Sequence, residues 1–292
     1  MSNAPYASVP YASVPQTLTE VNGLVMRQKT QKGEVVAQML GIPYEAANKY
    51  KVHLLPPNKV VKNRPDDTDG WEPDRDELEQ LDTFLFAQEE SDCFTRVCLT
   101  FLGCANLRPL QLHISVSGST GDVYVVNRPF LLGGCCGCPL EMNLDAVADG
   151  KTQRIGRVRE DFSPYFSKCL SSCCVATTYT DIERAMPDGT FEKRYSLRTN
   201  VSCCGRVNNC CGATCFKNDA VYDILDTKGQ IAAHLQMTYA KGGGIGACCR
   251  AEMGFNNYIL EFPRDSTAED RMLLLTALFQ VEYQLFERTG GE

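Results

Sequence analysis

The segment near the C-terminus constrains the fold most. Ser266-Thr267-Ala268-Glu269 has capping-box form and predicts a helix start, with the helix running on from Asp270 to Glu287. Met272 to Phe286 is mostly apolar, so the helix has little face to give to water. A bilayer span asks for about 20 apolar residues. This run has fifteen residues, and Gln280, Glu282 and Gln284 are among them. The helix, about 267–287, is therefore expected to be buried in protein rather than lipid.

The text before it predicts a wall. Leu112, Ile114 and Val116 alternate with Gln111, His113 and Ser115; a Gly/Ser/Thr turn and then Val123-Tyr124-Val125-Val126 follow, which is a hairpin signal. Asp149-Gly150, Pro187-Asp188-Gly189 and Lys228-Gly229 mark further turns. After the second, Phe191, Tyr195 and Leu197 are placed on one face; after the third, Ile231, Ala233, Leu235 and Met237 are. Repeated hairpins predict a mostly-β antiparallel barrel or sandwich, and a barrel is able to enclose a helix.

Residues 1–17 carry Pro-Tyr-Ala-Ser-Val twice and read as a disordered Pro/Tyr-rich tail; 18–292 then form one domain with an insertion at about 54–83. The net charge of −7 gives no global reason to expect nucleic acid or anionic lipid as a partner, and no nucleic-acid partner is expected. Between Asp66 and Asp82 stand nine acidic residues and Arg75, a sum of −8, so the rest of the chain sums to about +1. Tail and insertion are the two candidate contacts for a protein partner. Asp67-Thr68-Asp69-Gly70, with Asp76 at the closing position, follows part of a calcium-loop pattern, but Pro65 stands at the first ligand position. The other reading is a solvated loop leading into a short acidic helix, Asp74 to Leu81.

Sixteen cysteines are present, and the N-terminus lacks a charged segment followed by an apolar one, which predicts an intracellular chain with free thiols. Ser2 and the C-terminal Arg-Thr-Gly-Gly-Glu fit neither myristoylation nor prenylation. The thiols cluster as Cys135/Cys136/Cys138, Cys173/Cys174, Cys203/Cys204, Cys210/Cys211 and Cys248/Cys249. Adjacent cysteines on a strand point to opposite faces, so a pair does not readily hold one metal. Three readings stay open: acylation of Cys135, Cys136 and Cys138, zinc at Cys135-x-x-Cys138 without a second such pair, and small buried hydrophobes, preferred for the remaining pairs. Lys241 to Gly246 lacks the Lys-Ser/Thr of a phosphate loop, and His53, His113 and His234 are isolated, so neither an enzyme nor an organic cofactor is expected.

Several blocks resemble the phospholipid scramblase family. They are Asn48-Lys49-Tyr50; Phe86 to Arg96 with Arg108-Pro109; Asn127-Arg128-Pro129-Phe130 leading into Cys135-Cys136-Gly137-Cys138-Pro139; Ile155-Gly156-Arg157-Val158; and Asn257 to Asp265 before the terminal helix. Their order and spacing fit from about residue 18 to 287. The resemblance implies a tubby-like closed antiparallel β-barrel of about twelve strands around a C-terminal helix. It also implies calcium-activated movement of phospholipids between leaflets, acylation at Cys135, Cys136 and Cys138, and attachment to the cytoplasmic face of a membrane, the plasma membrane first. The family's calcium loop, aligned on Phe262-Pro263, puts Gly254, Asn256 and Tyr258 at its first, third and fifth positions and Asp265 last, so Asn256 and Asp265 are the oxygen donors it retains. The reading is a peripheral, acyl-anchored scramblase-family protein, with a non-scrambling interaction or scaffold protein on the same barrel as the alternative.

Overall fold

Strands form here because apolar residues recur at every second position and Gly-containing turns separate the runs. In β4 (Leu110–Val116) the residues Leu110, Leu112 and Ile114 are buried, while the positions between them are not. The structure is a computed structural model, and it describes residues 13–28, 48–64, 67–90, 109–119, 121–130, 139–148, 150–161, 163, 176–202, 206–207, 219–238 and 257–283.

In chain order the elements are α1 (Ser13–Glu20), β1 (Gly23–Gln28), β2 (Lys49–Leu54), α2 (Arg75–Glu79), β3 (Thr83–Glu90), β4, β5 (Asp122–Arg128), β6 (Glu141–Ala148) and β7 (Lys151–Asp161). Then come β8 (Ala176–Ala185), β9 (Phe191–Ser202), β10 (Arg206–Val207), β11 (Asp219–Leu225), β12 (Ile231–Thr238), β13 (Asn257–Glu261) and α3 (Ala268–Val281). Each strand from β1 to β9 pairs antiparallel with the next; β9 pairs with β11, β11 with β12, β12 with β13, and β13 returns to β1. The two-residue β10 hangs on the end of β9. The result is a closed twelve-stranded meander, and closure leaves no long open sheet edge.

α3 fills the lumen. Every residue from Asp270 to Val281 is buried, among inward side chains such as Leu85, Leu112, Val126, Leu144, Val158 and Leu235. The expected tubby-like barrel around a C-terminal helix is thus the fold observed. α1 closes the lumen at the N-terminal end of α3: Val14 and Leu18 belong to the same core, and Arg271 donates to the carbonyls of Leu18 and Val21, the latter at 2.8 Å.

Three local expectations change. The cap of α3 is Thr267 rather than Ser266: Thr267 Oγ1 accepts from Asp270 N, and Thr267 N donates to Asp270 Oδ2. Ser266 is turned to Pro263 O and Arg271 Nε. The boundary drawn at residue 17 falls inside α1, whose Val14 and Leu18 need the core to cover them. Phe191 does not share a face with Tyr195 and Leu197, because a bulge between the pairs Ile182/Tyr195 and Glu183/Lys193 shifts the register. Tyr195 and Leu197 join the core, whereas Phe191 lies against the guanidinium of Arg157, 4.1 Å from its ring centre.

The insertion between β2 and β3 packs on the barrel instead of lying free in solvent. Val61, Trp71 and Leu78 cover Val25 of β1 and Ile259 of β13 in a second, smaller core. Gln236 of β12 holds it by accepting from Lys62 N at 3.0 Å and donating to Trp71 O at 2.9 Å, and Arg27 donates to Leu78 O at 2.6 Å. The expected acidic helix exists as α2, capped by Asp74 in a reciprocal box with Glu77.

Candidate functional site

Antiparallel meandering gives the barrel two chemically different ends. At one, which also holds α1 and the start of α3, tight turns join β4 to β5, β6 to β7, β8 to β9 and β11 to β12. Each turn contains one glycine at positive φ: Gly118, Gly150, Gly189 and Gly229. At the other end the strands are joined by long connections, and α3 finishes there.

Polar groups pin α3 at both ends. At the tight-turn end, Asp270 is fully buried, and Arg184 Nη2 of β8 reaches its Oδ1 at 2.6 Å. Arg184 also donates to Thr267 Oγ1 at 2.6 Å, and Arg194 of β9 stands 3.6 Å from the same carboxylate. At the far end, Tyr258 donates to Glu282, and Tyr283 donates to Glu89 at 3.0 Å. Asn48 also donates to Glu89, from its amide side chain at 2.8 Å. Tyr50 sits among these groups; burial foremost, then its neighbours Tyr283, Glu282 and Glu89, push its phenol well above the usual range, so it stays protonated. The Glu282 carboxylate stood out in the sequence as a charge in an apolar run. Its partner Tyr258 lies on a strand elsewhere in the chain, and no local signal joins the two.

The outer wall is charged and paired. Arg154 meets Asp145 at 2.6 Å, Arg157 meets Glu183 at 2.5 Å, Lys193 meets Asp181 at 2.7 Å and Arg198 meets Asp223 at 2.5 Å, each pair crossing neighbouring strands. A barrel that spans a membrane has an apolar band facing lipid. Here the apolar residues face in and the ion pairs face out. None of the described helices is long and apolar enough to cross a membrane.

The residues singled out from the sequence are dispersed. Asp67 accepts from Asp69 N at 2.9 Å and from Asn63 N at 3.2 Å, and these backbone donors hold its carboxyl below the usual range. Asp69 and Asp76 are exposed, Asp76 in the first turn of α2. Asp265 lies in the turn before α3, while Asn256, Cys135, Cys136 and Cys138 lie outside the described residues, as do the other thirteen cysteines. Tyr258, at the fifth position of the family's calcium loop, has its side chain in the lumen on Glu282 and offers that loop no oxygen. Among the described residues no three His, Cys, Asp or Glu side chains come together as a metal site. Of the two oxygen donors which that loop retains, Asp265 is described and Asn256 is not, so the expected calcium site lies partly outside the described residues.

Known proteins place these features in context. Phospholipid scramblase 1 of Homo sapiens is 25% identical over 208 residues, 71% of this chain and 54% of that protein. The Rattus norvegicus protein of the same name is 25% identical over 209 residues, 71% of this chain and 51% of its own length. Phospholipid scramblase 2 of Bos taurus is 22% identical over 292 residues, 99% of this chain and 76% of that protein. The chain spans about half the length of the first curated relatives it matches. No family profile matches the chain, and no solved structure matches it.

Proposed function

Since this chain is a relative of the phospholipid scramblases, we propose that it works on phospholipid membranes as a peripheral protein that promotes lipid movement between leaflets. The observation that carries the reading is the likeness itself, which extends over 71% of the chain for one relative and 99% for another. Acyl chains on Cys135, Cys136 and Cys138 would hold it at the surface, because one chain binds marginally and two or three bind stably. The reading places it at the cytoplasmic face.

The geometry limits how such a protein acts. A polar headgroup costs several kcal/mol to bring through hydrocarbon unless a polar path exists. The lumen is filled by α3, and the outer wall carries ion pairs, so neither is a path. Among the described residues α3 has fourteen residues; at 1.5 Å per residue this part is about 21 Å long, short of a hydrocarbon core of about 30 Å. The barrel therefore acts from the surface, by disturbing the bilayer it touches.

The test is reconstitution of the reduced protein into liposomes carrying fluorescent phospholipid, bleached from outside by dithionite with and without calcium. Bleaching beyond the outer-leaflet half, dependent on protein and in vesicles that do not leak, supports the reading. Bleaching confined to the outer leaflet in both conditions overturns lipid movement. It favours the second reading, a scaffold on the same barrel, for which the folded insertion, with Asp69, Asp76 and Asp82 exposed on it, is the motivating observation.

A further inference from the structure

We propose that the insertion between β2 and β3 is a strap released by acid: uptake of one proton by His53 lifts residues 55–82 off the outer wall while the barrel stays closed. Release bares Val25 of β1 and Ile259 of β13, so the device sets which outer surface the protein shows. It does not depend on the membrane reading above.

His53 stands at the seam. It precedes Leu54, the last residue of β2, and faces Thr83, the first residue of β3, across a register shift. On its other side it pairs with Val25, so both side chains point to the outer face beneath the strap. The residue is 1% exposed. Its Nδ1 lies 3.0 Å from the carbonyl of Asp82, and a carbonyl only accepts, so Nδ1 carries the hydrogen. Nε2 is then bare, and among the described residues it has no hydrogen-bond partner. A proton added there becomes a buried charge without an acceptor. The charges acting on the ring add to that cost, since Arg27 of β1 and Lys51 of β2 are both cations. From β3 comes the uncharged Thr83. From the strap come the carbonyls of Asp82 and Leu81, which favour the proton without outweighing burial, while Asp82 is itself exposed to water.

The strap opens by itself because its contacts are its own. Its apolar residues form a core that shares no residue with the core around α3. It is held together internally by Lys59 on Glu77 at 2.9 Å, Lys62 on Glu72 at 2.5 Å, and the capping box of Asp74 with Glu77. Residues 55–82 take part in none of the strand pairs that close the barrel. Once the strap lifts, the ring meets water and takes its proton at the ordinary value of about 6.5. The closed form takes it less readily. Closure is therefore full above that value, and each pH unit below it raises the ratio of open to closed by up to about tenfold.

Trp71 is the one tryptophan of the chain, and it is buried in the strap's core. Its emission and its quenching by acrylamide, followed from pH 7.5 to 5 on the full reduced chain, read the strap. Far-UV circular dichroism and hydrogen exchange in α3 read the barrel. The indole donates to Glu77 at 3.3 Å, but hydrogen bonds from Lys59 and the Asp74 amide hold that carboxyl below its usual range, so it does not titrate in this window. The proposal expects red-shifted emission and several-fold stronger quenching as pH falls, with dichroism and α3 protection kept, and neither change in His53→Gln. Lys51→Glu, which trades a cation near the ring for an anion, is expected to move the opening to lower pH, and it keeps the test decisive if His53→Gln does not fold. An unchanged Trp71 signal across the window overturns the strap. A change that persists in folded His53→Gln, or that Lys51→Glu leaves unmoved, overturns the role of His53. Exposure of Trp71 that comes only with loss of dichroism and of α3 protection is unfolding of the whole barrel and overturns separate release.

Discussion

His53 on β2 is buried, and its Nδ1 lies 3.0 Å from the carbonyl of Asp82, the residue that leads from the insertion into β3. Burial lowers its pKa, and the cations Arg27 and Lys51 add to the effect, while the Asp82 and Leu81 carbonyls act the other way. The unfolded chain thus binds this proton more readily than the folded one. Stability is full above the unfolded value of about 6.5 and declines as pH falls below it, by at most about 1.4 kcal/mol per pH unit from this group. Urea unfolding between pH 7.5 and 5 checks this: His53→Gln is expected to flatten the slope, and an unchanged slope refutes the assignment. At the same scale, the Ile155-Gly156-Arg157-Val158 block has a physical reason. A Cβ on Gly156 would meet the carbonyl oxygen of Glu183 at 2.2 Å and both methyls of Leu273 at 3.0 Å. Glycine lets β7 approach both its neighbour and the central helix, and Gly156→Ala is expected to cost about 3 kcal/mol in chemical unfolding.

At the scale of elements, α3 depends on more than its apolar run. Asp270 closes the capping box with Thr267 and receives Arg184, and both roles sit in a buried place. Asp270→Ala is expected to lose about 3 kcal/mol, whereas Arg184→Ala, a partly exposed group with Arg194 beside it, is expected to lose about 1 kcal/mol. Thermal and urea unfolding of the two variants separate these values; equal losses would show that the ion pair alone matters and that the cap adds nothing. The start of this helix was legible within one residue, because capping is a local pattern. The bulge at Lys193–Tyr195 was not, since the extra residue is visible only against the partner strand β8. The burial of Trp71 was also not legible, as its cover, Val25 and Ile259, lies on strands that are adjacent only in the closed barrel.

At the scale of the whole molecule, anchors at both ends of α3 make the barrel and its contents one cooperative body. The lumen side holds Asp270, Arg271 and Glu282 in hydrogen bonds and ion pairs, and removing the helix would expose them together with the core. Hydrogen exchange gives the check. Amides from Met272 to Val281 are expected to keep their protection when phosphatidylserine vesicles are added, and loss of protection there alone would mean that the helix leaves the barrel to enter lipid.

Local patterns in the sequence were enough for the class of structure and the nature of the helix. Period-two alternation, glycine turns and a fifteen-residue apolar run with polar interruptions are written in neighbouring residues, and so is the need for that helix to be enclosed. The order and spacing of the scramblase-like blocks were likewise readable along the chain. What required the tertiary structure was everything that joins residues far apart: Tyr258 with Glu282, Arg184 with Asp270, Gln236 with Trp71, and the closure of β13 on β1. Side-chain period and capping depend on residues within a turn or two of each other. Closure of a meander depends on which strand ends meet, and that depends on pairing register and the helix the wall must fit around.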